Sequence, residues 1–271
     1  MVLYILKYEI EGVIHMADHL KSDFIVEEKI SMGNIPAILF RPKNKEGLLP
    51  TAILYHGWSS NKEFQRMRGF ILSSAGYQVI IPDAIYHGER NPLKNYNLEN
   101  AKKYFWHVVL NNIEESKIII EQAVSKYQAD PARIGILGHS MGGFTAAGVF
   151  THNLDIKALV VFNGACNWNY FNQWFKGKGW VEEDFEFEEE ERVSTLDPQN
   201  NLKLLKDRPI LLLHGDRDGL VPIEGQRIFY SKIKESYDNP KRIKLIEYPN
   251  LNHFVTTNMM EEAIYWFYKY L

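Results

Sequence analysis

One cysteine, Cys166, occurs in 271 residues. A lone thiol closes no intrachain disulfide, so nothing in the chain asks for an oxidising compartment. It also excludes Cys-x-x-Cys ligation of zinc, and no metal or other cofactor is expected. No apolar run approaches the roughly 18 residues of a membrane-spanning helix. Charge of one sign is missing as well: 31 Lys and Arg face 34 Asp and Glu, for a formal net charge of -3. That near balance offers no basic face to a phosphate backbone, so no nucleic-acid partner is expected. Internal repeats and linker-like composition are absent too.

What remains is ordinary for a globular protein: 45% hydrophobic and 24% charged residues, enough for one continuous core over residues 1–271. At the N-terminus the apolar patch Val2 to Leu6 is soon interrupted by Lys7 and Glu9. A secretory leader needs a longer apolar run behind a basic start, so residues 1–22 read as an extension of the fold and the protein as cytoplasmic.

Two β-rich segments come first, Phe24 to Ile30 and Ile35 to Phe40, with Met32-Gly33-Asn34 between them as a hairpin turn. Six short apolar runs come after them, beginning at Thr51, Tyr77, Arg133, Ala158, Pro209 and Ile243. Helix-period segments separate them, near 62–74, 97–127, 141–150, 223–237 and 256–270. Runs apolar on both faces that alternate with helices predict an α/β fold with a mostly parallel central sheet and helices on both faces. Residues 167–205 break the alternation. They hold Trp168, Tyr170, Phe171, Trp174, Phe175 and Trp180, then the acidic run Glu182 to Glu191. So long a stretch without a strand predicts a helical cap insertion over something apolar rather than a bare loop.

The chemistry concentrates in Gly135-Ile-Leu-Gly-His-Ser-Met-Gly-Gly143. Gly138, Ser140 and Gly142 form G-x-S-x-G between a buried-strand run and a helical run, so Ser140 falls on a sharp strand-to-helix turn that thrusts out its hydroxyl. The Met141 amide, at a helix N-terminus, is placed to steady an oxyanion. A serine hydroxyl needs a base, and among nine histidines His253 stands where the last strand gives way to the last helix. His56, His139 and His214 sit in strand-end loops and read as structural or site-lining. The base needs a carboxylate, and His214-Gly-Asp-Arg-Asp-Gly-Leu-Val-Pro222 offers Asp216 and Asp218. The spacing favours Asp218, with Asp216 a turn former. A second oxyanion donor is expected after the first central strand, in His56-Gly57-Trp58, from the Trp58 amide.

The segments His56-Gly57-Trp58, Gly138-His-Ser-Met-Gly-Gly143, His214-Gly-Asp-Arg-Asp218 with Val221-Pro222, and Asn252-His253 resemble those of α/β-hydrolases. From about Phe24 to Leu271 the likeness is to small bacterial esterases near the prolyl-oligopeptidase-like branch. A fifth segment, Asp83 to Arg90, is similar to a loop that borders the site there, which makes Tyr86, His87 and Arg90 candidates for a supporting layer. The resemblance implies a serine carboxylesterase acting on a small-molecule ester through an acyl-enzyme on Ser140. An amidase or aminopeptidase is the alternative, with the acidic run as its candidate for recognising an amine. A hydrolase-fold binding protein without turnover is the third reading. Tyr86, Trp168, Phe171 and Trp174 are the expected substrate-binding residues. A homo-oligomer would use the insertion or the N-terminal extension. The first 20 residues match no element of that family, and no propeller-length domain precedes the fold.

Overall fold

The computed structural model describes residues 22–182 and 185–271. The expected extension 1–22 lies outside these residues except for Ser22. Eight strands form one sheet: β1 (Ile25–Met32), β2 (Ile35–Pro42), β3 (Leu49–Tyr55), β4 (Gln78–Pro82), β5 (Ala129–His139), β6 (Ala158–Phe162), β7 (Ile210–Gly215) and β8 (Ile243–Tyr248). Their order is β1-β2-β4-β3-β5-β6-β7-β8. The β1–β2 hairpin and the β2–β4 pair are antiparallel, and every pair from β4 to β8 is parallel. The α/β architecture with an antiparallel N-terminal hairpin is as the apolar runs imply.

Among the described residues seven α-helices connect and cover the strands: α1 (Arg66–Ser74), α2 (Leu98–Tyr127), α3 (Met141–His152), α4 (Trp168–Lys176), α5 (Glu190–Leu196), α6 (Ile223–Lys234) and α7 (Thr257–Tyr270). The period-two geometry of a strand explains why both sheet faces are apolar. In β6, Leu159 and Val161 pack in a cluster with α2, α3 and α6. Ala158, Val160 and Phe162 face a second cluster with α1 and α7. A third cluster joins α2 and α3 to the 167–205 segment, through Trp106, Phe144, Trp168, Phe171 and Phe187.

From β3 the chain crosses to β4 on one side and later to β5 on the other. The carboxyl ends of β3 and β5 therefore flank a switch in strand order, where open α/β sheets hold their ligands. Tyr55 and Gly138 pair across it, which sets the His56-Gly57-Trp58 loop beside the G-x-S-x-G turn.

Candidate active site

Ser140 stands between β5 and α3 at φ 56°, ψ -126°, a conformation that costs a non-glycine residue of order 1–3 kcal/mol. Neighbouring packing holds it there. A Cβ on Gly142 would lie 2.2 Å from the Tyr55 carbonyl oxygen and 2.7 Å from that of His56, so glycine alone lets the elbow nest against the β3 loop. The Ser140 amide donates to Phe162 O at 3.0 Å. Among the described residues, neither the Met141 nor the Trp58 amide donates to a protein acceptor in the loop and cap hydrogen bonds.

His253 stands in the loop after β8 and Asp218 in the loop after β7. Their side chains meet, with His253 Nδ1 2.7 Å from Asp218 Oδ2. A carboxylate only accepts, so Nδ1 carries the proton and Nε2 presents its lone pair. The Asp218 side chain is wholly buried. Burial pushes its pKa up, but hydrogen bonds from His214 and His253, with the Val221 amide, outweigh burial and hold it well below the usual carboxylate range. Oδ1 accepts from the Leu220 and Val221 amides at 2.9 and 3.0 Å. Asp216 is exposed, in keeping with its reading as a turn former.

His214 is nearer to this chemistry than its sequence position suggests. Its Nε2 lies 2.9 Å from Val221 O and 3.3 Å from Asp218 Oδ2, so the proton sits on Nε2 and is shared between the two acceptors. Two imidazoles thus donate to one carboxylate oxygen. Backbone bonds zip the two loops together: Asp216 N to Tyr248 O and Arg217 N to Leu251 O, both at 3.0 Å. Gly215 makes room, since a Cβ there would meet Leu251 O at 2.3 Å. Asn252 Oδ1 accepts from both Gly219 N (3.1 Å) and His253 N (2.8 Å).

His139 is the site's tightest neighbour. Its ring centroid lies 4.7 Å from that of His253. Burial, and then the nearness of His253, hold its pKa well below the ordinary histidine value, so it stays neutral beside the base. Among the described residues, no hydrogen bond joins the Ser140 hydroxyl directly to His253. Catalytic hydrogen bonds are commonly looser before substrate arrives.

The β3 loop is fixed from behind. His56 Nδ1 donates to Gly57 O (2.9 Å), and its Nε2 accepts from Ala84 N (3.0 Å). Both contacts need the neutral ring, which burial favours. The Asp83–Arg90 loop is in turn locked by a buried ion pair that the sequence reading missed. Lys62 Nζ lies 2.6 Å from Asp83 Oδ2 and 2.7 Å from Glu89 Oε1. Arg90 forms a two-pronged pair with Glu115 at 2.6 and 2.7 Å. His87 packs between His56, Trp58 and Tyr96.

The insertion differs in detail from its sequence reading. Trp168 is fully buried. Its indole N–H donates to Ala165 O at 3.1 Å, and its ring closes on Gly148 of α3. It is core, not an accessible wall, because a large ring beside a glycine fills the space that the missing side chain leaves. Phe171 is 8% exposed, while Tyr86, Trp58, Phe105 and Trp174 are partly buried around the same cluster. In the acidic run Glu189 pairs with His107 and Arg192, and Glu190 with Lys176. These two carboxylates are therefore engaged by the protein itself.

A sheet of this order, a strained serine after β5 and an Asp–His pair after β7 and β8 define an α/β-hydrolase. The chain belongs to the prolyl oligopeptidase family, whose model matches residues 64–271. It is 32% identical over 254 residues to "Putative esterase YitV" of Bacillus subtilis, spanning 90% of this chain and 98% of that one. It is 24% identical over 257 residues to "Esterase YjfP" of Escherichia coli, with 90% and 98% covered. Among solved structures, TT1662 from Thermus thermophilus superposes with a TM-score of 0.75 at 18% identity, covering 90% of this chain and 97% of that one. That last likeness bears on the fold alone.

Proposed function

We propose that the protein is a serine carboxylesterase whose nucleophile, base and acid are Ser140, His253 and Asp218. The observation that carries this is the 2.7 Å bond from His253 Nδ1 to buried Asp218, at the sheet edge where Ser140 is held in its strained turn. Ser140 Oγ attacks the ester carbonyl carbon while His253 Nε2 takes the hydroxyl proton. The carbonyl oxygen becomes an oxyanion between the Trp58 and Met141 amides. Collapse expels the alkoxide, which receives that proton from His253. Water, activated by the same imidazole, then attacks the acyl-enzyme and returns Ser140.

Tyr86, Phe171 and Trp174 form the aromatic wall of the proposed substrate pocket, and residues 167–205 its cap over a single hydrolase domain. No helix among the described residues is long and apolar enough to cross a membrane. Action in the cytoplasm on a small ester accompanies this reading, supported by the lone buried Cys166. The family's peptidase members keep an amide-cleaving alternative in view. Ester cleavage is favoured because Glu189 and Glu190, from the run that would recognise an amine, are engaged by Arg192 and Lys176.

The test is a panel of p-nitrophenyl esters of varied acyl length run beside aminoacyl anilides, with fluorophosphonate labelling read by mass spectrometry. Ester turnover with an acyl burst, an adduct on Ser140 and loss of both in Ser140→Ala are expected. Folded protein that neither turns over nor labels would end this reading, and faster anilide than ester turnover would transfer it to an amidase.

A further inference from the structure

We propose that Asn163 is a positioning residue that holds the acid and base loops in register behind Ser140. The proposal rests on the assignment of Ser140, Asp218 and His253 above. Asn163 comes directly after β6, and the residue before it, Phe162, accepts the Ser140 amide at 3.0 Å. Its own N–H donates to Leu213 O at 2.9 Å. Its side chain is fully buried and makes two further bonds. Oδ1 accepts from Gly215 N at 2.9 Å, and Nδ2 donates to Phe254 O at 2.8 Å. Gly215 lies three residues before Asp218, and Phe254 is the residue after His253.

One carboxamide therefore links the nucleophile's strand neighbour to the two loops that carry the other site residues. Its chemistry is specific to that task. One short side chain must accept on one atom and donate from another, which asparagine supplies, whereas ionised aspartate has no donor, leucine neither, and serine a single oxygen for both. The backbone is at φ 44°, a left-handed conformation in which asparagine is several-fold enriched among non-glycine residues. On the solvent side Asn252 holds the base loop. Without Asn163 the loop stays near its place, but His253 loses its fixed relation to Ser140. Misplacement of a catalytic group by about 1 Å can cost on the order of 100-fold.

The experiment uses the full chain with Asn163→Gly, which keeps the backbone conformation, and isosteric Asn163→Asp, each made also in the His253→Ala background. Turnover is expressed per site titrated with the fluorophosphonate where His253 is present, and per mole of folded protein, measured by circular dichroism and gel filtration, in the His253→Ala background, which has no base to activate Ser140 toward the probe. Asn163→Gly is expected to lower kcat about 10- to 100-fold with KM within about twofold, since the lost interaction acts on the reacting groups and not on substrate binding. Asn163→Asp, which sets a carboxylate against the Phe254 carbonyl, is expected to be at least as slow. In the His253→Ala background either change should alter the residual rate less than twofold, because its effect travels through the missing imidazole. Three results overturn the proposal: kcat per titrated site within threefold of wild type, an undiminished penalty without His253, or a loss confined to thermal stability. Wild-type protein that fails to label at Ser140 would instead remove the underlying site assignment.

Discussion

Replacing Asp218 by asparagine preserves shape and removes one charge, and the hydrogen bonds around it set the penalty. Four donors face the carboxylate. The Leu220 and Val221 amides point at Oδ1, while His253 Nδ1 and His214 Nε2 point at Oδ2. An amide has one acceptor oxygen and one donor nitrogen. The two backbone donors cannot turn away, so they claim the oxygen and the NH₂ group confronts two ring N–H groups. His253 can relieve its share by moving its proton from Nδ1 to Nε2. That tautomer has no lone pair toward Ser140 and cannot take its proton. Together with the loss of the anion that stabilises imidazolium, this predicts a fall in kcat of roughly 10⁴-fold, about 5.5 kcal/mol of transition-state stabilisation. KM should stay within about threefold. The assay is stopped-flow hydrolysis of a short p-nitrophenyl ester with parallel fluorophosphonate labelling, and Asp216→Asn as control. Asp216 is exposed, and its variant should keep at least half of the wild-type rate. An Asp218→Asn enzyme within tenfold of wild type, or an Asp216→Asn enzyme that loses more, would refute the reasoning.

Two more expectations concern the scaffold behind the oxyanion loop. Lys62→Met keeps the apolar stem and strips the cation from fully buried Asp83, leaving the Lys62 and Glu89 amides as its donors. A buried charge that loses its partner costs about 3 kcal/mol or more, so the urea midpoint should drop clearly and ester turnover should slow as His56 loosens. An unchanged midpoint would show that the pair contributes nothing to the fold. Acid should act through buried histidines: burial, then His56, lower His87 from 6.5 to about 4, and burial lowers His56 and His139 likewise. The unfolded chain then binds these protons first, so stability is complete above about pH 6.5 and declines as pH falls toward 4, by up to roughly 3 kcal/mol for His87 alone. A pH series of urea midpoints should show this slope, and His87→Phe should flatten part of it; equal slopes in both proteins would contradict the assignment.

The strands were legible because burial on both faces writes itself as uninterrupted apolar runs, and β6 begins and ends where Ala158 and Phe162 do. The turn that holds Ser140 and the loop that holds His253 were legible because each falls where an apolar run gives way to a helical one, between β5 and α3 and between β8 and α7. Lys62 left no such trace. A lysine in Ser59-Ser-Asn-Lys62 reads as solvated, and its carboxylate partners lie 21 and 27 residues away, so only the tertiary fold reveals the cost and its compensation. Asn163 gave a faint signal. Asn163-Gly164 after a buried run looks like an ordinary turn, and nothing local says that its carboxamide reaches two remote loops. Trp168 was misread for a different reason: Trp168, Phe171 and Phe175 recur at i, i+3 and i+7 along α4 and share its buried face, but a helical period tells which residues share a face and not whether that face meets the core or a ligand.

That misreading bears on how specificity is built. The first half of the insertion is tied down by bonds that a freely opening lid would have to break. Buried Asp197 accepts from the amides of Trp168 (3.1 Å), Asn169 (2.9 Å) and Gln199 (2.9 Å). Trp106 of α2 donates to Asn172 of α4 at 2.9 Å, and His107 reaches Glu189 at 3.0 Å. Releasing α4 would expose Trp168 and Phe171, at about 1.5–3 kcal/mol for each large side chain, and would strand a buried carboxylate besides. In the proposed pocket, the wall formed by α4 therefore stays with the body. Differences in acyl size in that proposed pocket then fall to the partly exposed rings of Tyr86, which leans on Tyr104 and His107, and Trp174, which leans on Phe171 and Trp180, and not to displacement of the segment that carries Trp168.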